Sequence, residues 1–368
     1  MNRLIQLIFL FLCIFGNVEG CTAFQLKAKD GAIVYCRSME FGYKLNSEII
    51  VVPQEIEYAG TAPQGEQGLK WKTKYGFVGL NQSTEKTYVS DGMNEKGLVI
   101  GVLYLPNFAK YETPDQQRKD RTLGCWELPA FLLSTCMTVQ EVKAVLPTVL
   151  VAQQPPPGMG DFILPVHYYV SDSTGAVVII EYVNGERNVY DDPVGVLTNS
   201  PPFNWHLNNL ANYVTLSPVN AGPVQFSDWK VPNLGQGSGL LGLPGDYTSP
   251  SRFVRATLFS QWATVAKNGP DAVNLGFHIL NTFDIPDGLV KSRPNEKNEQ
   301  SIETTEWTVV HDKTNLKTYF RSYKSLQIQM VDLKKIDFSK GGFKHVPLMQ
   351  EFSVNDVTGQ LKPMAVKG

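Results

Sequence analysis

Cys21 is the residue whose chemistry is most readily interpreted, because it stands where a new N-terminus would form. A cysteine thiol is a weak nucleophile at neutral pH until a base removes its proton. An N-terminal cysteine carries such a base, since a free α-amine has a pKa of about 7.7–8.0. Inside a longer chain the same nitrogen is an amide and cannot accept a proton. Cleavage before Cys21 would therefore create a nucleophile and its base together, as amide hydrolysis through a thioester requires.

The first twenty residues have the three-part pattern of a secretory signal peptide. Met1–Arg3 supply a positive start, Leu4–Phe15 are apolar with one exception, and Gly16–Gly20 are mostly small and polar. The apolar run is too short to span a bilayer well. We therefore expect that residues 1–20 are removed, and that residues 21–368 form one exported domain in the periplasm or outside the cell. A retained N-terminal anchor helix is the alternative.

Other roles for the cysteines remain open on the residues around the cut. Cys21 could be an ordinary buried residue, with cleavage elsewhere. Val18–Cys21 could instead be a lipoprotein cleavage site, which would give a lipid-anchored binding protein without catalytic activity, although the charge of Glu19 fits that site poorly. A thiol hydrolase using Cys125 or Cys136 with a histidine is a third alternative. Neither cysteine lies in a recognisable nucleophile motif, and the five histidines lie in unrelated contexts.

Five sequence blocks follow one another along the chain: Cys21–Phe24, Tyr35–Glu40, Asp91–Leu98, Gly195–Pro201 and Leu243–Arg255. Each block alone is a weak signal, and the order and spacing of all five make the combination specific. Together they resemble the choloylglycine hydrolase and penicillin V acylase family of N-terminal-nucleophile amidases.

The resemblance implies a catalytic role for each of five residues. Cys21 matches the nucleophile, Arg37 an arginine beside the thiol, and Asn199 an asparagine of the oxyanion hole. Arg252 matches a second active-site arginine. Glu40 stands where the family usually has an aspartate that holds the α-amine, and its extra methylene requires a slightly different local geometry.

The substrate side of the site follows from the same resemblance and from nearby apolar residues. Tyr104 stands at an oxyanion-hole position that is often Asn in bile-salt hydrolases and Tyr in penicillin V acylases. Leu105, Phe108 and Phe203 are expected to line a cleft for a bulky apolar acyl group. The alternative is that these aromatic residues belong to the core, which we favour for Trp205.

The implied reaction is hydrolysis of linear amides that join an apolar acyl group to a small polar amine. Conjugated bile salts, penicillin V and acyl-homoserine lactones are the substrates that the resemblance implies. It implies no cofactor, and the sequence has no Cys/His cluster with the spacing of zinc ligands. Because members of the family tend to be tetramers, we also expect a homotetramer.

The spacing of Arg37 and Glu40 constrains the strand that carries them. Residues three apart lie on opposite faces of a regular strand, so contact of both side chains with Cys21 would require irregular β geometry. A two-residue turn at Asp30–Gly31 would put Glu40 opposite Cys21, whereas a three-residue turn would put Arg37 on the face of Cys21. The sequence leaves this register open.

Hydrophobic periodicity predicts a mixed chain with many strands. The resemblance implies an α+β fold, the four-layer αββα sandwich of N-terminal-nucleophile hydrolases, with two stacked, mainly antiparallel sheets flanked by helices. A turn is predicted over 91–97, and the long loops 153–160 and 217–239 are candidate lids. Strands are predicted at 21–26, 32–36, 49–52, 75–79, 98–105, 167–171, 177–182 and 326–333, a hairpin at 306–322, and helices at 127–133, 139–145, 203–214 and 252–266.

Composition excludes several other classes of protein. The net charge is −2 and no basic run is present, so we expect no nucleic-acid partner. No segment after the signal approaches 18 unbroken apolar residues, so we expect no membrane span. Four cysteines remain after the signal, too few for a disulfide scaffold in an exported chain of this size.

Overall fold

Two large antiparallel sheets carry most of the secondary structure. The computed structural model describes residues 20–82, 85–349 and 351–364, so the predicted signal peptide lies outside the described residues except for Gly20. The first ten strands are β1 (Cys21–Lys27), β2 (Ile33–Phe41), β3 (Glu48–Val52), β4 (Glu57–Thr61), β5 (Gln67–Lys72), β6 (Phe77–Gln82), β7 (Glu85–Asn94), β8 (Val99–Tyr104), β9 (Thr122–Leu123) and β10 (Leu150–Val151).

The later strands and the helices complete the chain. The strands are β11 (Val166–Ser171), β12 (Val177–Val183), β13 (Glu186–Asp191), β14 (Val196–Leu197), β15 (Val224–Phe226), β16 (Trp229–Val231), β17 (Val290–Lys291), β18 (Ile302–Asp312), β19 (Lys317–Ser322), β20 (Gln329–Asp332) and β21 (Lys344–Pro347). The α-helices are α1 (Leu128–Thr135), α2 (Val139–Val145), α3 (Phe203–Asn209), α4 (Ser249–Trp262) and α5 (Gly269–Leu280). Within the described ranges, no helix has the length and apolar character that crossing a membrane requires.

The sheets stack and are covered by helices on their outer faces. One sheet has the strand order β14-β1-β2-β18-β19-β20, with β17 paired to β18, and the other has the order β13-β12-β11-β8-β7-β6-β3-β21. Helix α4 packs on β1, α5 packs on β2 and β18, and α1 packs on β7 and β8. Apolar residues from the facing sides of both sheets form one buried cluster. The structure confirms the predicted four-layer α+β sandwich.

Strand β2 lies at the centre of this arrangement. All nine of its residues are buried, because it is covered by the second sheet on one face and by helix α5 on the other. A strand buried on both faces carries few polar residues unless each has a partner. The charged side chains Arg37 and Glu40 therefore need partners within the protein.

The turn between β1 and β2 decides the register that the sequence left open. Ala28 N donates to Ala32 O at 2.8 Å, so residues 29–31 form a three-residue turn, with Gly31 at a φ of +90°. The left-handed conformation at that position favours glycine. Of the two alternatives, the structure has the one that places Arg37 on the face of Cys21.

Local predictions were most accurate where the apolar pattern was strong. The predicted helix at 139–145 coincides with α2, and the predicted hairpin at 306–322 corresponds to β18 and β19. The predicted turn over 91–97 begins too early, because Asp91 lies within β7 and the turn closes through Gly97 N and Asn94 O. The sequence analysis also missed helix α5 and strands β4, β5, β7 and β13. The segment 217–239 contains the exposed hairpin β15–β16, and its role as a lid stays a prediction.

We expect Gly276→Ala to destabilise the fold. A β-carbon at residue 276 would lie 2.5 Å from Cys36 Sγ, so helix α5 or strand β2 must shift. Overpacking of this kind costs about 1–3 kcal/mol, partly offset by the higher helix propensity of alanine, about 1 kcal/mol. Urea unfolding should show a net loss that shrinks in a Cys36→Ala background, where the obstructing sulfur is absent. An equal effect in both backgrounds would contradict this close contact.

Candidate active site

The pairing of β1 with β2 brings a thiol and a guanidinium together. Cys21 is opposite Met39 and Ala23 is opposite Arg37, so the four side chains share one face of the sheet. Arg37 Nη2 lies 3.5 Å from Cys21 Sγ, and Met39 Sδ lies 3.6 Å from the same sulfur. Cys21 and Arg37 are both buried. The predicted contact between this arginine and the thiol is present.

The second sheet supplies the partners of Arg37. Its guanidinium donates to Ser90 O on β7 and to Val102 O on β8, and it lies 3.2 Å from Asp91 Oδ2. The ring centroid of Trp307 is 5.3 Å from the guanidinium carbon. A buried charge is tolerated only with such compensation. The position of Arg37 beside the thiol therefore depends on the stacking of the two sheets.

Asp91 is itself fixed by two further side chains. Tyr35 Oη donates to Asp91 Oδ2 at 2.9 Å, and His311 Nε2 lies 2.7 Å from Asp91 Oδ1. His311 Nδ1 lies 2.8 Å from Thr318 Oγ1. Gly101 permits this network, because a β-carbon there would lie 2.2 Å from Tyr35 Oη. The Arg37 charge thus belongs to a buried polar network that spans both sheets.

Asn199 joins the backbone nitrogen of Cys21 to the second arginine. Its Oδ1 accepts from Cys21 N at 2.8 Å and from Arg252 Nη2 at 2.7 Å. Its Nδ2 donates to Tyr104 O at 3.0 Å. The structure therefore brings Asn199, Arg252 and the backbone of Tyr104 close to Cys21.

Helices α3 and α4 hold Asn199 in place through its backbone. Asn199 N donates to Ser249 Oγ at 2.8 Å, and Asn199 O lies 2.8 Å from His206 Nε2. Burial lowers the pKa of His206 to about 4, so its ring is neutral and Nε2–H is the donor to this carbonyl oxygen. The amide side chain is thus oriented from both neighbouring peptide groups.

Arg252 lies on the opposite side of the sheet from Arg37. Its Nη1 donates to Cys21 O and to Thr22 Oγ1, the latter at 3.0 Å, and its Nε donates to Tyr247 O at 2.8 Å. Asp246 accepts from the nearby hydroxyl groups at the start of α4. Arg252 therefore binds the peptide group of Cys21 rather than a surface carboxylate.

Glu40 shares the face of Arg252, so it does not contact the thiol side of Cys21. Strand β2 remains regular through Phe41, as residue spacing requires for side chains three apart. Glu40 N donates to Gly20 O at 2.8 Å, and Glu40 Oε1 accepts from Thr305 Oγ1 at 3.4 Å. Burial raises the pKa of the Glu40 carboxyl to about 8, with the charge of Arg252 opposing the rise. In the chain that retains Gly20, Glu40 is therefore largely protonated at neutral pH.

The thiol is also affected by burial. Burial raises the pKa of Cys21, and the charge and hydrogen bond of Arg37 oppose that rise. The positive charge of Arg37 favours the thiolate, as a cation beside a thiol does. Desolvation nevertheless outweighs it in the chain that retains Gly20. Loss of Gly20, which is itself buried, would open space next to the nitrogen of Cys21.

The predicted pocket residues differ in exposure. Leu105 is fully buried and the side chain of Phe108 is 38% exposed. Phe203 is fully buried, with ring contacts to Phe253 and Tyr190, so it packs in the core as the alternative interpretation proposed. Trp205, expected in the core, is 43% exposed, so that expectation was wrong. A pocket role for Leu105 and Phe108 stays a prediction.

A cavity lies at the end of β2, beside the residues that flank Glu40. Its volume is about 480 Å³, and its lining includes Phe41, Tyr43, Ser47, Thr304 and Trp307. The sequence analysis did not identify these residues, because they lie in a strand end, a loop and a distant strand. Their proximity follows from the pairing of β2 with β18.

The sequence analysis missed several residues that support the site. Asp91 and Ser249 lie in the quoted sequence blocks but were assigned no role, and His206 and His311 were assigned to unrelated contexts. Their spacing in the sequence does not indicate these contacts, because the contacts form only when the chain folds. Cys36, Cys125 and Cys136 are buried free thiols. Within the described residues, no group of three or more His, Cys, Asp or Glu side chains could hold a metal ion.

Comparisons with known proteins agree with this geometry. The sequence profile of "Linear amide C-N hydrolases, choloylglycine hydrolase family" matches residues 21–345. A bile salt hydrolase/transferase of Clostridium perfringens is 30% identical over 342 residues, covering 92% of this chain and 99% of that relative. The crystal structure of a mutant conjugated bile acid hydrolase from Clostridium perfringens matches with a TM-score of 0.81 at 28% identity, covering 92% of this chain and 100% of that one.

A second solved structure shows the same architecture. Penicillin V acylase from Agrobacterium tumefaciens matches with a TM-score of 0.71 at 25% identity, and the match covers 89% of this chain and 91% of that one. Both neighbours support the N-terminal-nucleophile fold that the sequence blocks implied.

We expect Asp91→Asn to reduce stability strongly, because it removes the charge that compensates Arg37. Breaking a buried ion pair by neutralising one partner costs about 3–5 kcal/mol. Asp191→Asn provides a matched control, since Asp191 pairs with Lys143 at the surface and such pairs contribute at most about 1 kcal/mol. Urea unfolding of both variants measures the difference. Equal and small losses would show that Asp91 does not carry this role.

Glu40→Gln should remove part of the pH dependence of stability in a chain that retains Gly20. The pKa of Glu40 is about 8 in the folded protein and about 4.5 in the unfolded chain, so between these values only the folded state keeps the proton. The Glu40 carboxyl makes its full contribution to the free energy of unfolding below pH 4.5. That contribution falls by up to about 1.4 kcal/mol per pH unit as the pH rises to 8. The stability of the variant relative to the parent should therefore increase across that window in urea unfolding. A difference independent of pH would contradict the protonated carboxyl.

Proposed function

Because the chain belongs to the choloylglycine hydrolase family of linear amide C–N hydrolases, we propose that it hydrolyses linear amides through a thioester on Cys21 as the first residue of the mature protein. Its substrates join an apolar acyl group to a small polar amine. Removal of residues 1–20 and export of the chain to the periplasm or the cell exterior are part of this proposal. A homotetramer, which the resemblance implied, stays a prediction.

One arrangement supports the proposal most directly. The sulfur and the nitrogen of Cys21 each have a separate partner, Arg37 Nη2 at 3.5 Å from Sγ and Asn199 Oδ1 at 2.8 Å from N. When the bond to Gly20 is broken, that nitrogen becomes an amine on the residue that carries the thiol. Base and nucleophile are then held in one residue by independent contacts.

The reaction can be written with these groups in balance. The α-amine accepts the proton of the thiol, and the thiolate attacks the carbonyl carbon of the amide. The ammonium returns the proton to the leaving amine, which departs and leaves a thioester. Water, deprotonated by the same amine, then attacks the thioester and releases the acid and the free thiol. Arg37 stabilises the thiolate at each stage where it forms.

Asn199 is the proposed donor to the tetrahedral oxygen. One hydrogen of its Nδ2 is used by Tyr104 O, and an amide nitrogen has a second hydrogen to donate. The loss of one oxyanion donor typically costs about 2.7–4 kcal/mol of activation free energy. Tyr104 thus contributes by orienting Asn199 through its backbone carbonyl.

The substrate class is taken from the relatives. The similar proteins act on bile salts or penicillin V according to their names, and these substrates share an amide between an apolar acyl group and a polar amine. We propose conjugated bile salts or penicillin V as the substrates to be tested first, together with acyl-homoserine lactones. The partly exposed Phe108 is proposed to contact the acyl group, with Leu105 packed behind it.

The position of the sulfur favours the nucleophile over the lipid-anchored alternative. Cys21 Sγ lies between the two sheets, in contact with Arg37 and Met39, and the residue is 1% exposed. A diacylglyceryl group on that sulfur would need space within the packed interior. The burial of the sulfur therefore supports the nucleophile rather than lipid attachment at Cys21.

We expect Cys21→Ser to remain folded and to lose nearly all amide hydrolysis, because an alcohol is a far weaker nucleophile at this site. Cys136→Ser is a matched control, since Cys136 is a buried thiol at the end of α1. Hydrolysis of glyco- and tauro-conjugated bile salts, penicillin V and acyl-homoserine lactones by protein beginning at Cys21 is the measurement. Wild-type rates in Cys21→Ser would reject the assignment.

The N-terminal amine is tested with two further forms of the protein. A chain that keeps one residue before Cys21 should be inactive until that residue is trimmed, because its nitrogen is an amide. Sequencing of the exported protein should give Cys21 as the first residue. Export of a chain with another first residue, or activity of the untrimmed form, would contradict the proposed mechanism.

A further inference from the structure

A pair of buried carboxyl groups faces the backbone of residue 20 from two different strands. Glu40 on β2 is completely buried and Glu303 on β18 is 5% exposed. Within the described residues, Glu40 Oε2 and Glu303 Oε1 are buried atoms without a hydrogen-bond partner. Burial of a carboxyl oxygen without a partner is costly. The sequence analysis assigned no role to Glu303.

Gly20 occupies the space between these carboxyl groups. A β-carbon on Gly20 would lie 2.7 Å from Glu303 Oε1, 3.2 Å from Glu40 Cβ and 3.5 Å from Arg252 Nη2. Burial raises the pKa of the Glu303 carboxyl, and the charge of Arg252 and the nearby backbone of Gly20 oppose that rise. Removal of Gly20 would therefore leave a space next to Cys21 N that is bordered by two carboxyl groups.

Arg252 is close to this space but directs its hydrogen bonds elsewhere. It donates to Cys21 O, to Thr22 Oγ1, to Asn199 Oδ1 and to Tyr247 O. Its charge compensates the carboxyl groups at a distance without occupying their free oxygen atoms. Another donor with positive charge would complete the arrangement.

Cleavage before Cys21 creates such a donor. A protonated α-amine has three N–H groups, and three acceptors are available around the nitrogen of Cys21: Asn199 Oδ1, already at 2.8 Å, and one oxygen from each carboxylate. We propose that Glu303, together with Glu40, binds the α-ammonium group of mature Cys21 and is a second positioning residue for the base. This inference rests on the proposed function, because it requires a chain that begins at Cys21.

The pair also accounts for the position of the base relative to the thiol. Both carboxyl groups lie on the helix side of the sheet, whereas Cys21 Sγ lies on the side of Arg37. The two carboxyl groups therefore hold the ammonium from the face opposite the sulfur. When the ammonium loses a proton to solvent, the lone pair of the amine is available to accept the proton of the thiol. The protonation of Glu40 in the uncleaved chain is consistent with this, since its cationic partner is not yet formed.

The charge of Glu303 should be visible in the titration of the amine. A carboxylate beside an ammonium raises the pKa of that amine, and cations nearby lower it. The charged groups that face the amine from the surrounding elements are Arg37 and Glu40 of β2, Glu303 of β18, Arg252 of α4, and Asp284 after α5, which is paired with Arg321 of β19.

The experiment uses protein that begins at Cys21 and carries Glu303→Gln. Its α-amine pKa should fall by about 1 unit or more, and the acid limb of kcat/KM should move to lower pH by the same amount. The amine pKa is read from the NMR signals of protein labelled with [13C,15N]cysteine, in which Cys21 is the one cysteine with a free amine. Glu306→Gln is the matched control, because Glu306 lies on the same strand but lines the cavity on the other face. It should leave both values unchanged.

The outcomes separate this inference from the proposed function. An amine pKa that is unchanged in Glu303→Gln but lowered in Glu40→Gln would overturn the role of Glu303. If Glu303→Gln does not fold, Glu303→Asp replaces it, and an amine pKa equal to that of the parent would again overturn the inference. If the parent protein hydrolyses no linear amide, the proposed function fails, whereas the NMR titration still decides whether Glu303 binds the amine.

Discussion

The buried charge of Arg37 is the constraint on which the rest of the site depends. Its guanidinium has no contact with solvent, and its partners are backbone carbonyl groups and a carboxylate from the second sheet. An uncompensated charge in that position would cost several kcal/mol, which is a large part of the stability of a domain. The sheets must therefore stack in one particular way for the guanidinium to be tolerated beside Cys21. The placement of the guanidinium beside the thiol and the formation of the core are consequences of the same packing.

Because side chains alternate along β2, Arg37 and Glu40 lie on opposite faces of the sheet. Arg37 projects between the sheets and contacts the sulfur, while Glu40 projects toward helix α4 and the backbone of residue 20. Cys21 connects the two because it is the first residue of β1, so its side chain lies on one face while its nitrogen is reached from the other. In the proposed mechanism, a strand that begins at the nucleophile separates the contacts of the thiol from the contacts of the amine. On a helix, side chains three or four residues apart share one face, so Arg37 and Glu40 would not be separated in this way.

The sequence was sufficient for the family, for the layers of the fold and for the main residues near Cys21. These signals are local: a cysteine after an apolar segment, five short blocks in order, and apolar runs of strand length. The register of β1 and β2 was not predictable, because it depends on whether a turn holds two or three residues. Nor could the positions of His206 and His311 be predicted, since each contacts its partner across separate elements. No sequence pattern indicated a role for Glu303, because it comes close to residue 20 only when β18 pairs with β2.

The assignments of Phe203 to the pocket and of Trp205 to the core failed for a related reason. Phe203 and Trp205 are two residues apart on a short helix, and sequence alone gives no account of which turns inward. In the fold Phe203 packs against Phe253, while Trp205 faces outward and contacts the ring of His206 at its edge. The carboxylate of Glu181 accepts a hydrogen bond from the backbone nitrogen of Phe203 and thereby anchors the start of this helix.

The tight space around Gly20 links the segment before the nucleophile to the folded interior. A β-carbon at that position would lie 2.7 Å from Oε1 of Glu303, so even alanine would require that carboxyl group to move. If residues 1–20 are an export leader, as proposed, a leader that ends in glycine fits the packing of the uncleaved polypeptide best. On the proposed cleavage, the folded domain restricts which residue can end the segment that is removed.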